Sequence, residues 1–136
     1  MFLPKKFGIY IPEDLGKEIE DCMKILGLKS KSKLVQEALR SFILEHRWRI
    51  KGRVAGIIGV VYNHEVKGVD EELTDIQHNF LDIINSALHI HLDKERCMLV
   101  IVVRGSSEKI KDLLNRIVGT RGVLIARPML LASEER

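Results

Sequence analysis

"LHIHLDKERCMLVIVVRG", Leu88 to Gly105, sets two apolar runs on either side of a short charged tract. "LHIHL" alternates aliphatic and imidazole side chains, the period-two pattern of a strand. "CMLVIVVRG" is rich in β-branched residues and reads as a second strand. With "DKER" as the turn, the two form an antiparallel hairpin centred near Lys94. His91 then lies across from Cys97 and His89 across from Leu99, so two imidazoles and a thiol share one face. A loop one residue longer or shorter would need a bulge or would turn the sulfur to the opposite face.

Working outward, "RVAGIIGVVYNHE" is a β-branched run that reads as a strand ending near His64. "GVDEELTDIQHNFLDIINSA" places Val69, Leu73, Ile76, Phe80, Ile83 and Ile84 at helical spacing and predicts a helix. "SSEKIKDLLNRIVGT" reads as a helix capped by Ser106 or Ser107, and "GVLIARPMLL" as a closing strand. The order βαββαβ is ferredoxin-like: a four-stranded antiparallel sheet with both helices on one face. The other face requires cover, and a second copy of the chain is the expected cover.

The N-terminal part has a different pattern. "KKFGIYI" alternates, with Phe7, Ile9 and Ile11 on one face and Lys6, Gly8 and Tyr10 on the other, which predicts a short strand. Pro12 ends it, and "EDLGKEIEDCMKILG" follows as a helix stopped by Gly27. Its stripe of Leu15, Ile19, Cys22, Met23 and Leu26 makes Cys22 a buried core residue. "KSKSKLVQEALRSFILEHRWRI" predicts a second helix, with Ser30 as its N-cap. A lone strand and two amphipathic helices have too little core to stand alone, so two copies are expected to pair their strands antiparallel and bury the four helices together. A two-stranded ribbon of this kind fits the major groove of duplex DNA. The start of the second helix combines a helix dipole, two hydroxyls and three lysines, which suits a phosphate oxygen.

Composition places the whole chain among globular proteins. At 136 residues, 46% hydrophobic and 30% charged, it has room for one domain or two small ones, and no apolar run long enough to cross a bilayer. No membrane partner is expected, and "MFLPKKFGIYIPEDL" has no apolar stretch of the secretory kind, so a cytoplasmic location is expected. Residues 1–50 hold ten Lys/Arg against seven Asp/Glu, whereas residues 51–136 hold twelve of each. The formal excess of +3 therefore lies in the first part. Four of the five histidines and Cys97 lie in the second. The cut falls at two domains, 1–48 and 49–136, with Trp48 packing at the junction. Two cysteines do not make a disulfide framework. No nucleophile or acid/base constellation remains beyond the candidate ligands, so an enzyme is not expected.

Two strand histidines alone would usually be hydrogen-bonded strand residues. A cysteine in matching register favours a metal. His78, beside the apolar stripe of its helix, is a further candidate, from the same chain or a neighbour. Three nitrogens and a thiolate suit Ni(II) or Cu(II) in a plane and Zn(II) in a tetrahedron.

Residues 5–45 resemble a ribbon-helix-helix DNA-binding domain. In that family the outward strand residues read bases and the second helix's start clamps a phosphate. Here those positions are Lys6, Gly8 and Tyr10, then Ser30, Lys31 and Ser32. "YNHE", "QHNF", "LHIHL" and the cysteine six residues after the second histidine resemble the nickel-responsive ribbon-helix-helix transcriptional regulators over nearly the whole chain. The resemblance implies one Ni2+ per subunit, held square-planar by His78 of one chain with His89, His91 and Cys97 of another. His64 matches a further histidine that the family implicates in additional metal binding. It also implies a homotetramer, a dimer of dimers around an ACT-like core, that represses transcription at a double-stranded operator. Alternatives are a sensor of copper, zinc or cobalt on the same ligands, an ACT-like small-molecule regulator with "VRGSSEK" as its binding loop, or a metal-storage protein that does not bind DNA.

Overall fold

The computed structural model describes residues 5–47, 49 and 52–134, and Trp48, predicted at the domain junction, lies outside them. Packing divides the chain into Met1–Ser41 and Phe42–Arg136.

In the first unit, α1 spans Glu13–Leu26 and α2 begins at Lys31 and runs to Arg47. Glu13 and Asp14 sit in the first turn of α1, where the helix dipole favours negative charge. Gly27 adopts φ 68°, and the amides of Gly27 and Leu28 close back onto Lys24 O and Met23 O. Ser30 caps α2 as expected, its Oγ accepting the Lys33 N–H at 3.2 Å.

Residues 5–12 form no strand, contrary to the alternation of "KKFGIYI". The ribbon needs a second strand, and a single chain offers none, so Phe7 and Ile9 are left 74% and 55% exposed. Cys22 is exposed rather than buried. Of the stripe on α1 only Met23 is buried and Ile19 is partly covered, because this unit closes no core of its own.

The second unit is the βαββαβ arrangement. Its elements are β1 (Arg53–Asn63), α3 (Val69–His78), β2 (Ile84–His91), β3 (Arg96–Ser106), α4 (Ser107–Val118) and β4 (Val123–Glu134). The strands order β2-β3-β1-β4, each neighbour antiparallel. β1 and β3 are central, and their alternate residues Ile58, Val60, Ile101 and Val103 are buried with Ile110, Leu113 and Ile117 of α4. Val69, Leu73 and Ile76 bring α3 to the same core. The opposite face of the sheet carries Ile57, Val61, Met98, Val102, Ile125 and Met129, with Ile125 and Met129 about half exposed.

Ser106 caps α4, its Oγ accepting the Lys109 N–H at 3.3 Å. The helix predicted over 68–87 instead stops at His78, and β2 begins four residues before Leu88. The amides of Phe80, Ile83 and Ile84 close tight turns onto Gln77 O and Phe80 O, and Arg104 N–H donates to Ile83 O at 2.8 Å. Phe80 and Ile83 do pack on the core, but from a turn, and Ile84 does so from the first position of β2. Gly105 has no side chain because Ile83 occupies the space a Cβ would take.

Gly56 is similarly closed in by the Met129 carbonyl and Leu130 Cα of β4, whereas a Cβ at Gly59 would meet only ordinary contact. Gly56→Ala should therefore destabilise the protein by about 1–3 kcal/mol, and Gly59→Ala by much less. Urea midpoints compare the two; equal losses would show that β4 is not held against β1 at Gly56.

Candidate metal centre

β2 is an edge strand and presents His89 and His91 at alternate positions. Its register is the one the hairpin predicts: His91 pairs with Cys97 and His89 with Leu99. Cys97 is 1% exposed and belongs to the core face, while both imidazoles remain exposed at the sheet's rim. One ligand atom from each of His89, His91 and Cys97 lies within 4.8 Å of the others. The Cys97 Sγ and His91 Nδ1 are 3.4 Å apart, and the two imidazole centroids 5.0 Å apart.

The turn between them is tightly tied. Asp93 Oδ1 accepts the amides of Glu95 and Arg96 at 3.0 and 2.7 Å, and its Oδ2 accepts Arg96 Nε at 2.8 Å. These bonds, the Arg96 side chain's first, hold the Asp93 carboxyl below the usual carboxylate range.

Behind the histidines stands Tyr62, a residue the sequence patterns did not single out. β1 pairs it with Cys97, and it is 3% exposed. Its hydroxyl donates to Asp70 Oδ1 at 2.9 Å and lies 3.1 Å from His89 Nε2. Burial, reinforced by the bond to Asp70, pushes the phenol well above its ordinary pKa, so it stays a neutral O–H. Because its single proton goes to Asp70, the His89 contact is made by Nε2–H donating to the phenol oxygen. Nδ1 of His89 is then the basic nitrogen. Strand alternation does place Tyr62 on the face of Ile58 and Val60, but its partners come from α3 and β2, which spacing within β1 does not reveal.

His78 is exposed at the last residue of α3 and does not join the group within the chain. His64 is also outside it, bonded through its ring to the Lys94 carbonyl. In the first unit Lys6, Gly8 and Tyr10 are exposed, with Tyr10 fully so. Ser30, Lys31 and Ser32 lie together at the start of α2; Lys31 is 3.8 Å from Glu20, and Ser32 Oγ accepts from Gln36 Nε2 at 3.5 Å. Lys6, Lys31 and Ser32 rim a groove whose apolar wall is Phe7, Ile9, Ile11, Val35 and Leu39.

Residues 55–131 match the family described as the NikR C-terminal nickel-binding domain. The chain belongs to the NikR family. A relative from Dictyoglomus thermophilum, named as a nickel-responsive regulator, is 43% identical over 119 residues, 87% of this chain and 88% of that protein. One of the same name from Methanocaldococcus jannaschii is 38% identical over 120 residues, 87% of this chain and 85% of its own. An uncharacterized protein from Thermotoga maritima shares the fold at a TM-score of 0.54 and 16% identity, over 59% of this chain and 99% of its own.

Nickel is the metal of this family's domain, and the donors fit it. Imidazole nitrogen and thiolate sulfur are ligands a late first-row divalent ion favours, and three of them converge on one face. Binding requires the thiolate and neutral imidazoles, so nickel affinity should fall as pH drops and protons compete for those donors. Tyr62→Phe removes the phenol that orients His89 and should weaken nickel binding by about 10–100-fold at unchanged stoichiometry. Competition titration against a chelator reads this; an unchanged affinity would mean the phenol does not orient the ligand.

Proposed function

We propose that this NikR-family protein is a nickel-operated, DNA-binding transcriptional repressor. The observation that carries the reading is the convergence of His89, His91 and Cys97 in a nickel-binding domain. Those three residues would hold a single Ni(II) per chain together with His78 of a neighbouring chain. His78 supports this sharing because it is exposed at a helix end and absent from its own chain's donor group. The bound ion supplies a charge that links the two chains; it does no bond-making chemistry.

A homotetramer with the C-terminal domains at its centre accounts for the apolar outer face of the sheet, where Leu88, Ile125 and Met129 are 59%, 49% and 56% exposed. In the ribbon-helix-helix reading of residues 1–48, Phe7, Ile9 and Ile11 lie along a groove that a second copy's segment would fill, completing the ribbon. Lys6, Gly8 and Tyr10 then face the major groove of an operator, and Ser30, Lys31 and Ser32 meet a phosphate at the dipole of α2. Gly8 offers no side chain to a base, so base reading falls to Lys6 and Tyr10. Nickel raises operator affinity to the extent that it binds the DNA-competent arrangement more tightly than the others. No helix among the described residues is long and apolar enough to span a membrane.

The decisive measurement is a gel shift with the chain's own upstream DNA, with and without Ni(II). Nickel-dependent retardation is expected, and metal-independent binding or none would overturn the switch. Lys31→Ala should weaken binding to all sequences and lower the salt slope by about 1.

Sharing of ligands is tested by mixing. His78→Ala and Cys97→Ala chains should each lose nickel's thiolate absorption band, and co-assembled chains should regain part of it. A band retained in His78→Ala alone would place the whole site within one chain.

A further inference from the structure

His64 follows the last residue of β1 and faces the turn that joins β2 to β3. Its backbone N–H donates to Glu95 O at 2.8 Å, and its ring Nε2 meets the Lys94 carbonyl oxygen. A carbonyl only accepts, so Nε2 carries the proton in this contact. On the other side of the turn, Asp93 takes up the amides of Glu95 and Arg96, and Leu92 N–H donates to Arg96 O at 3.0 Å. The turn is therefore held from two sides, its carbonyls by His64 and its amides by Asp93.

We propose that His64, which lies outside the His89, His91 and Cys97 donor group, is a positioning residue of the nickel site, a latch that fixes the β2–β3 turn to the central strand β1. This rests on the reading of His89, His91 and Cys97 as the ligands. β2 is an edge strand with β3 as its only neighbour among the described residues, so its free end can splay or slip. The end that must not move is this one, because His91 and Cys97 flank the turn and their donor atoms are 3.4 Å apart. Asn63 pairs with Arg96 as the last rung between β1 and β3, and His64 adds two further bonds beyond it. His64 is the residue that carries the order of the sheet's centre into the turn.

The test uses the full-length protein as wild type, His64→Ala and His64→Gln, with Cys97→Ala as a control. Hydrogen exchange of a peptide covering residues 92–99 is measured without metal, and nickel affinity and absorption are measured separately. In His64→Ala the turn amides should exchange faster, and nickel affinity should fall about 10–100-fold with the stoichiometry and the position of the thiolate band unchanged. His64→Gln, whose side-chain amide can donate to the same carbonyl, should recover most of both losses.

Unchanged exchange in His64→Ala overturns the latch. Loss of a nickel ion per chain, or a shifted band in both His64 variants, assigns His64 as a ligand and also overturns it. If the wild type itself shows no thiolate band, the nickel reading fails. The exchange measurement then decides the latch alone, since it needs no metal, and Cys97→Ala serves only as the control that lacks the thiolate band.

Discussion

The pairing of β2 with β3 across a four-residue turn is the constraint from which the site follows. Strand side chains alternate, so a slip of one residue would carry His89 and His91 to the face opposite Cys97. Two features hold the register against such a slip. Asp93 closes the turn through its own side chain, and β3 is pinned along its whole length to β1, from Arg53 opposite Ser106 to Asn63 opposite Arg96. The same long pairing sets Tyr62 opposite Cys97 and so brings a phenol behind the imidazoles. The two ladders of β3 thus place the thiol, the two imidazoles and the group that orients one of them.

This is also why the metal face could be read from sequence while its surroundings could not. The hairpin is local: its turn, its alternation and its register are contained in the residues from Leu88 to Gly105, and the structure has His91 opposite Cys97 as that pattern requires. Gly27 and Ser106 are equally local signals, a left-handed stop and a side-chain cap, and both serve those roles. The Tyr62 hydrogen bonds join β1 to α3 and β2, and no spacing within one element encodes them. The end of α3 was hidden for another reason. Phe80, Ile83 and Ile84 keep helical spacing because each must reach the core, but Phe80 and Ile83 reach it from a turn tied to Arg104 and fitted against Gly105, and Ile84 from the start of β2.

In the N-terminal unit, the pattern "KKFGIYI" and the stripe containing Cys22 describe surfaces that need partners. Hydrophobic periodicity reports which side chains require burial, and it does not say whether the chain itself can supply the cover. Phe7, Ile9, Leu15 and Ile25 are all exposed, and among the described residues of the unit only Met23 is buried. The misplacement of Cys22 and the absent strand therefore have one cause. A strand and two helices of this size cannot enclose a core, so their apolar positions are meaningful only in an assembly.

Helix α3 connects these two levels. Its ten residues span about 15 Å. Near its start, Asp70 is bonded to Tyr62, which touches His89; at its end stands His78. On the proposed sharing of ligands, each chain's α3 is then held at its start by the orienting network of its own site and at its end by a neighbour's metal. Ordering either end lowers the entropy cost of ordering the other, because both lie on one rigid helix. Occupation of one site would thereby favour occupation of the next, and by linkage the arrangement that best holds DNA would also be the one that best holds nickel.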